Sequence, residues 1–178
     1  MVTQGPLSPA TTVDDSSTGT IAWTNPNNAK VSDNVYATAT IVTETTHYLK
    51  ATNFGFSVPT NATINGIVVE AEANVNDPGW ILDYIRIVKS GLIGSTNKTL
   101  QRYSTTDSYK SAGSSSDLWG ETWTSTDIND SVFGVAISTV QNGASRTISV
   151  DHIRITVYYM VPSLTGISTL TGVQSLTI

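Results

Sequence analysis

One of the two histidines lies among residue types that could support nucleophilic chemistry. His152 directly follows Asp151 and comes three residues after Ser149, so the members of a serine hydrolase triad are close in sequence. Apolar and polar residues alternate from Ile148 to Met160, which predicts a β-strand with adjacent side chains on opposite faces. Asp151 therefore cannot orient His152 as a triad requires. We predict a histidine that is hydrogen-bonded across a sheet, and no catalytic residue.

Two glutamates suggest a second chemistry, that of glycosidases. Glu70 and Glu72 lie in the alternating segment Ile64 to Val75, and on a strand their side chains would stand about 7 Å apart on one face. That separation falls within the range used by glycosidase carboxylate pairs. Acids on the solvent-facing side of a sheet are usually surface groups, and we interpret the pair in that way.

Metal and cofactor chemistry has little basis in the residues present. The chain has no cysteine, so thiolate zinc sites and disulfides are excluded. It has no HExxH segment and no glycine-rich phosphate loop after a strand. We expect no metal and no cofactor, although calcium held by several loops remains an open alternative because acids occur in many of them. These acids are Asp14, Asp15, Asp77, Asp107, Asp117, Asp127 and Asp130.

Three of the four tryptophans are candidate glycan contacts. Trp80 follows a Pro-Gly turn, and Trp119 and Trp123 flank Gly120 in the segment DLWGETWT. Exposed indole rings can stack on sugar rings, whereas tryptophans of a sandwich more often pack in the core or along an edge. Both interpretations stay open, and a glycan is the ligand that the first one implies.

The end of the chain has an unusual apolar repeat. Aliphatic residues recur at every third position, at Leu164, Ile167, Leu170, Val173 and Leu176. This spacing fits neither the 3.6-residue period of a helix nor the two-residue period of a strand. We predict that the tail packs against other copies of the chain, as a shared trimeric stalk or as a strand added to a neighbour. An unstructured end is the alternative.

Composition excludes several classes of partner. Thr and Ser account for 49 of the 178 residues, and only 13% of residues are charged. The net charge of −5 and the scattered basic residues argue against nucleic acid. No apolar run is long enough for a membrane helix, and the opening segment MVTQGPLSPATT has no signal-peptide pattern. We therefore expect synthesis in the cytoplasm and no membrane partner.

Strand-like segments separated by turns predict an all-β fold. We expect an antiparallel β-sandwich, jelly-roll-like, with an extended N-terminal arm at 1–19, the sandwich at 20–161 and the assembly tail at 162–178. Residues 92–123 are less regular and predict a long connection with one or two short edge strands. Gln141-Asn142-Gly143 between the last two strands is a hairpin signal. The predicted strands are 35–42, 47–54, 64–75, 81–89, 132–140 and 148–160.

Five segments of the chain are distinctive when taken together. They are GPLSP, AWTNPNNAKVSDNVYATA, YLKATNFGFSVPTNATINGIVVEAEA, SSSDLWGETWTSTDIND and VDHIRITVYY. As a set they resemble a recurrent group of phage and prophage proteins associated with virion structural genes. The resemblance covers about residues 5 to 160 and excludes the tail. It implies a sandwich-type virion component but supplies no catalytic residues.

The resemblance and the residues lead to one main functional hypothesis. We expect a non-catalytic structural protein of a phage virion, such as a capsid decoration, head-fibre or tail-associated subunit. Its partners would be copies of itself, as a trimer or larger assembly, and other virion proteins. Two alternatives stay open: a carbohydrate-binding sandwich module, and a subunit of a self-assembling extracellular filament.

Overall fold

The computed structural model describes residues 1–77, 81–100, 103–141 and 143–162, with only the backbone at 81–83. The described chain forms ten strands, a short 3-10 helix at Pro26–Ala29 and a short helix α1 at Ser125–Asn129. The all-β prediction is confirmed. The strands are β1 Val2–Leu7, β2 Thr11–Asp15, β3 Ala37–Ile41, β4 Tyr48–Thr52, β5 Thr63–Val75, β6 Ile81–Lys89, β7 Leu92–Ile93, β8 Ser108–Gly113, β9 Gly134–Gln141 and β10 Arg146–Met160.

The strands form two five-stranded antiparallel sheets that pack face to face. Sheet I has the order β1-β10-β5-β8, and β3 shares with β1 the free edge of β10. Sheet II has the order β2-β4-β9-β6-β7. From β3 onward, each sheet holds four strands in the arrangement of an eight-stranded jelly roll. The predicted antiparallel, jelly-roll-like sandwich is therefore confirmed.

Alternating side chains in the two longest strands build the centre of sheet I. In β5 the residues from Ile67 to Val75 alternate between buried apolar and half-buried side chains. Strand β10 does the same from Ile153 to Tyr159, with the apolar side chains facing the core. Sheet II supplies the opposing layer, which includes Leu49, Ile85 and Ile137. Each sheet thus has one buried face and one outer face, as the alternation predicts.

The predicted N-terminal arm is corrected by the structure. Strand β1 pairs with β10 in sheet I, and β2 pairs with β4 in sheet II. Residues 1–15 therefore contribute an edge strand to each sheet. The proline and glycine residues of this segment led to the prediction of an extended arm. Edge strands nevertheless tolerate proline, because one side of their backbone needs no hydrogen-bond partner.

The predicted hairpin at Asn142-Gly143 is wrong. Strand β9 pairs with β4 and β6 in sheet II, whereas β10 pairs with β1, β3 and β5 in sheet I. The connection therefore crosses from one layer to the other. Each strand already has a neighbour on both sides, so its hydrogen bonds are satisfied within its own sheet.

The connection between β6 and β9 combines short strands with one helix. Strands β7 and β8 are the short edge strands that the sequence predicts. Helix α1 was missed, since five residues are too few to show helical periodicity. Its signal is a capping box, in which Thr124 and Asp127 exchange hydrogen bonds. No helix in the described ranges is long and apolar enough to cross a membrane.

Candidate functional site

The outer face of sheet I carries a hydrogen-bonded group centred on His152. Its Nε2 lies 2.8 Å from Ser8 Oγ, and its Nδ1 lies 2.8 Å from the Tyr109 hydroxyl on β8. Both ring nitrogens are thus engaged by groups other than Asp151. Burial, followed by the charge of Arg154, lowers the pKa of His152. The predicted strand histidine with hydrogen bonds across the sheet is confirmed.

A β-bulge separates Asp151 from this group. The register of β10 against β5 shifts between Val150 and His152, which leaves Asp151 as the extra residue. Its Oδ1 accepts a hydrogen bond from the backbone N–H of Asp33 at 3.3 Å, while Oδ2 is buried and has no hydrogen-bond partner in the part of the chain that the structure describes. Burial is the main cause that raises the pKa of this carboxyl. The three triad-type residues therefore form no catalytic arrangement.

The glutamate pair has different environments at its two positions. Glu70 accepts two hydrogen bonds from the guanidinium of Arg154, at 2.9 and 3.0 Å. Arg154 also stacks on the ring of Tyr109, with Cζ 3.6 Å from the ring centroid. Glu72 stands one row along, opposite both His152 and Tyr109. Because Arg154 binds Glu70, this carboxylate is committed to an ion pair. Glu72 is half-buried, and its Oε2 is closed to solvent with no hydrogen bond among the described residues, so the prediction of two solvated surface acids is wrong for Glu72.

Acidic groups dominate the neighbouring part of the sheet I face. Asp107 accepts hydrogen bonds from the Tyr36 hydroxyl at 2.6 Å and from the Asn74 amide at 2.7 Å. The bond to Asp107 raises the pKa of Tyr36 to about 12, and burial and the charges of Asp151 and Glu72 act in the same direction. Asp107 therefore links Tyr36, just before β3, to Asn74 on β5.

Trp119 is a core residue, which corrects its prediction as a glycan contact. Its side chain is 0% exposed, and its indole N–H donates to the carbonyl of Ile67 on β5 at 3.0 Å. Its backbone N–H donates to Asp117 Oδ1 at 2.9 Å, which turns the chain and points the ring inward. The DLWG segment thus anchors the loop after β8 to the core.

The other two tryptophan predictions are not decided by the fold. Trp123 is half-buried, packs edge-on against Phe133 at 5.4 Å and lies under Lys89 Nζ, 5.2 Å from the ring centroid. A lysine therefore already stands where a sugar would stack. Trp80 lies outside the described residues, as do the tail positions Leu164, Ile167, Leu170, Val173 and Leu176.

The predicted loop acids do not converge on a common centre. Asp15 binds Lys50, Asp77 binds Arg146 and Asp117 binds Lys98. Asp14 contacts His47, and Asp127 and Asp130 bond nearby backbone N–H groups. Within the described ranges, no group of three His, Cys, Asp or Glu residues is arranged to hold a metal ion.

The outer face of sheet II has a central row of small residues between larger ones. Strand β9 presents Gly134, Ala136 and Ser138 outward, because Val135 and Ile137 face the core. In register, Ala136 stands between Lys50 on β4 and Arg86 on β6, and Ser138 is paired with Tyr84. The small residues are covered by their larger neighbours, since Ala136 is 0% and Ser138 1% exposed. We call this part of the outer face the sheet II face; it consists of Tyr48, Lys50, Tyr84, Arg86, Ala136 and Ser138.

On one side of the sheet II face, Lys50 and Tyr48 are already engaged by the protein. Lys50 forms an ion pair with Asp15, and the hydrogen bond between them is the main cause that lowers the pKa of Asp15 to about 2. Tyr48 packs against Ala136 and Val88 and is only 6% exposed. This side of the face therefore presents a paired charge and a buried ring.

The other side of the sheet II face holds Arg86. This side chain is half-buried, its Nε is closed to solvent, and this donor has no acceptor among the described residues. No carboxylate within the described residues forms an ion pair with it, unlike Arg146 and Arg154. Sequence inspection missed this residue, because its lack of an acidic neighbour is visible only from the register of β6 against β9. The residue that faces Arg86 there is Ala136, about 50 residues later in the sequence.

Comparisons with protein-family models and with curated proteins give no match. Among solved structures, the chain is similar to one described as "Family 16 Carbohydrate Binding Module-2", with 13% sequence identity and a TM-score of 0.37. The similarity covers 76% of this chain and 84% of that one.

Proposed function

We propose that this chain is a non-catalytic structural protein of a phage virion that self-associates through its terminal regions. The observation that carries the proposal is a set of exposed apolar side chains at one end of sheet I. Val2 pairs with Tyr159, so the first and last described strands meet there. Met1, Val2, Met160 and Val161 are 69%, 45%, 51% and 41% exposed.

Exposed aliphatic residues that cluster at one end of a soluble domain are typical of contact surfaces. The apolar repeat of the tail follows immediately in the sequence, after Pro162. Together they supply a continuous apolar segment for contacts between copies. The phage-like segments also support a structural role. VDHIRITVYY forms most of β10, and the tryptophan of DLWG packs in the core.

Light scattering tests the self-association. We expect the full chain to form a discrete oligomer and the 1–162 truncation, which keeps all ten strands, to be a folded monomer. If the full chain and the truncation are both monomers, assembly through the tail is refuted. If the truncation is unfolded, the tail belongs to the domain itself. Immunogold labelling of particles from lysed cells tests the virion role, and unlabelled particles would refute it.

Carbohydrate binding is the second candidate function, and two polar side chains next to each other on the outer face of β6 favour it. Tyr84 and Arg86 are both half-buried and lie two residues apart on this strand. Sites for small ligands combine a shaped surface with a few placed polar groups. A glycan array probed with the labelled full chain tests this role, and an array without any bound glycan would refute it.

A further inference from the structure

We propose that residues 30–36 form a latch on the outer face of sheet I, and that a proton on Asp151 keeps this latch closed. The segment 30–36, which we call the latch, connects the 3-10 helix to β3. Its residues 31–35 are all exposed, with Val31 at 59% and Val35 at 51%. Since the latch buries little apolar surface, its opening should cost less than unfolding of the domain.

Hydrogen bonds to two acids of sheet I hold the latch in place. The backbone N–H of Asp33 donates to Asp151 Oδ1 on β10 at 3.3 Å, which is long for such a bond. The Tyr36 hydroxyl donates to Asp107, just before β8, at 2.6 Å. Between these two contacts, Asn34 has a φ of +63°, in the left-handed region. The charge states of the two acids therefore bear on how firmly the latch is held.

Asp151 lies beneath the latch in a site that does not suit a negative charge. Its side chain is 1% exposed, and its Oδ2 has no hydrogen-bond partner among the described residues. Charged groups withdrawn from water are normally paired, because desolvation without a partner is costly. A proton on Asp151 removes the charge and that cost.

The nearest acids disfavour the charge further. Burial raises the pKa of Asp151 most, and the charges of Glu72 and Asp107 act in the same direction. The backbone N–H groups of Asn34 and Asp33 oppose this shift only in part. The Oε2 of Glu72 is also closed to solvent and lacks a hydrogen bond within the described ranges. A second buried carboxylate thus faces the same region without compensation.

The basic and neutral groups of this region do not pair with Asp151. Arg154 is bound to Glu70. Lys30, at the start of the latch, forms no ion pair in the part of the chain that the structure describes. The remaining titratable side chains of this face are Tyr36, Tyr109 and His152.

The difference between closed and open latch sets the direction of the pH dependence. Opening returns Asp151 to water, where its pKa is the ordinary 3.8, so the closed state holds the proton more tightly. This stabilisation is present below about pH 4 and is lost as the pH rises through the raised pKa. The open population therefore increases with pH. His152 acts oppositely, because its lowered pKa disfavours the closed latch only below the ordinary value of 6.5.

Hydrogen exchange of the full chain, followed by NMR between about pH 4 and about pH 8, tests the latch. The variant Asp151→Asn keeps the shape and the acceptor for Asp33 but has no charge at any pH. Its protection of the Asp33 amide, divided by that of the unchanged protein, should rise at least about threefold over this range. The contribution of His152 cancels in this ratio. Asp77→Asn, which removes an exposed acid paired with Arg146, should follow the unchanged protein.

Three results would overturn the proposal. One is a ratio for Asp151→Asn that does not change with pH. Another is equal protection of the latch amides and the β9 amides, which would mean that the latch opens only with the whole domain. The third comes from the unchanged protein and does not depend on the folding of any variant: an Asp151 carboxyl that titrates at or below its ordinary pKa in carbon NMR.

Discussion

Replacement of Trp119 by alanine is expected to remove about 4 kcal/mol from the free energy of unfolding. The side chain is fully buried, and a buried aromatic residue removes about 200 Å² from water. At about 25 cal/mol per Å², that area corresponds to about 5 kcal/mol, of which the alanine methyl group keeps a small part. Measured costs of this substitution in protein cores are about 3–5 kcal/mol. The loss of the hydrogen bond to Ile67 acts in the same direction.

The matched control is Trp123→Ala. Trp123 is half-buried and keeps one edge on Phe133, so about half of the apolar area, and about 2 kcal/mol, should be lost. Urea unfolding followed by far-ultraviolet circular dichroism gives both values, because that signal does not depend on the tryptophan that has been removed. If Trp119→Ala costs less than Trp123→Ala, or less than about 1 kcal/mol, the assignment of Trp119 to the core is wrong.

Three further predictions concern packing and titration. Gly134→Ala should lower the free energy of unfolding by more than about 3 kcal/mol, because the new Cβ would stand 1.9 Å from the backbone oxygen of Ala51 on the paired strand. The control Gly55→Ala, where φ is +71° and nothing lies within 4 Å, should lower it by only about 1 kcal/mol. Equal losses in urea unfolding would refute the close strand contact. The pKa of Asp15 is lowered to about 2, so its ionised form contributes stability that is present above about pH 4 and is lost as the pH falls toward 2. Over that range, the free energy of unfolding should therefore fall less in Asp15→Asn than in the unchanged protein. The pKa of Tyr36 is raised to about 12, so above about pH 10 this tyrosine ionises in the unfolded state before it ionises in the folded state. The free energy of unfolding should therefore fall as the pH rises above that value. Absorbance titration should show one tyrosine that ionises last, and this tyrosine should be missing in Tyr36→Phe.

The parts of the fold that sequence alone could predict are those with long alternation. Strands β5 and β10 run for 13 and 15 residues, so the two-residue period is repeated often enough to distinguish the buried face from the outer one. The bounds of β6 were predicted to the residue. By contrast, β1 and β2 have only 6 and 5 residues and contain glycine or acids, and pairing with a distant strand decides their structure.

Local signals predicted turns but could not say which layers the turns connect. The Asn-Gly pair predicts a hairpin between β9 and β10, yet β9 lies in sheet II and β10 lies in sheet I. Tryptophan in DLWG was open to two interpretations for the same reason, since its exposure depends on the packing of Ile67, 52 residues earlier. Information of this kind lies in tertiary contacts rather than in neighbouring residues.

The two outer faces differ in how their arginines are used. Arg154 has a bidentate carboxylate and an aromatic ring as neighbours, so the protein itself supplies everything that a guanidinium binds. Arg86 has Ala136 beside it, where the register offers no acid. Ala136 is 0% exposed and packs with Tyr48 and Val88, so the position beside Arg86 is filled by apolar neighbours instead of an acid. Both arginines alternate with core residues on long strands, and only the residue that faces each of them in the register decides whether its guanidinium is paired.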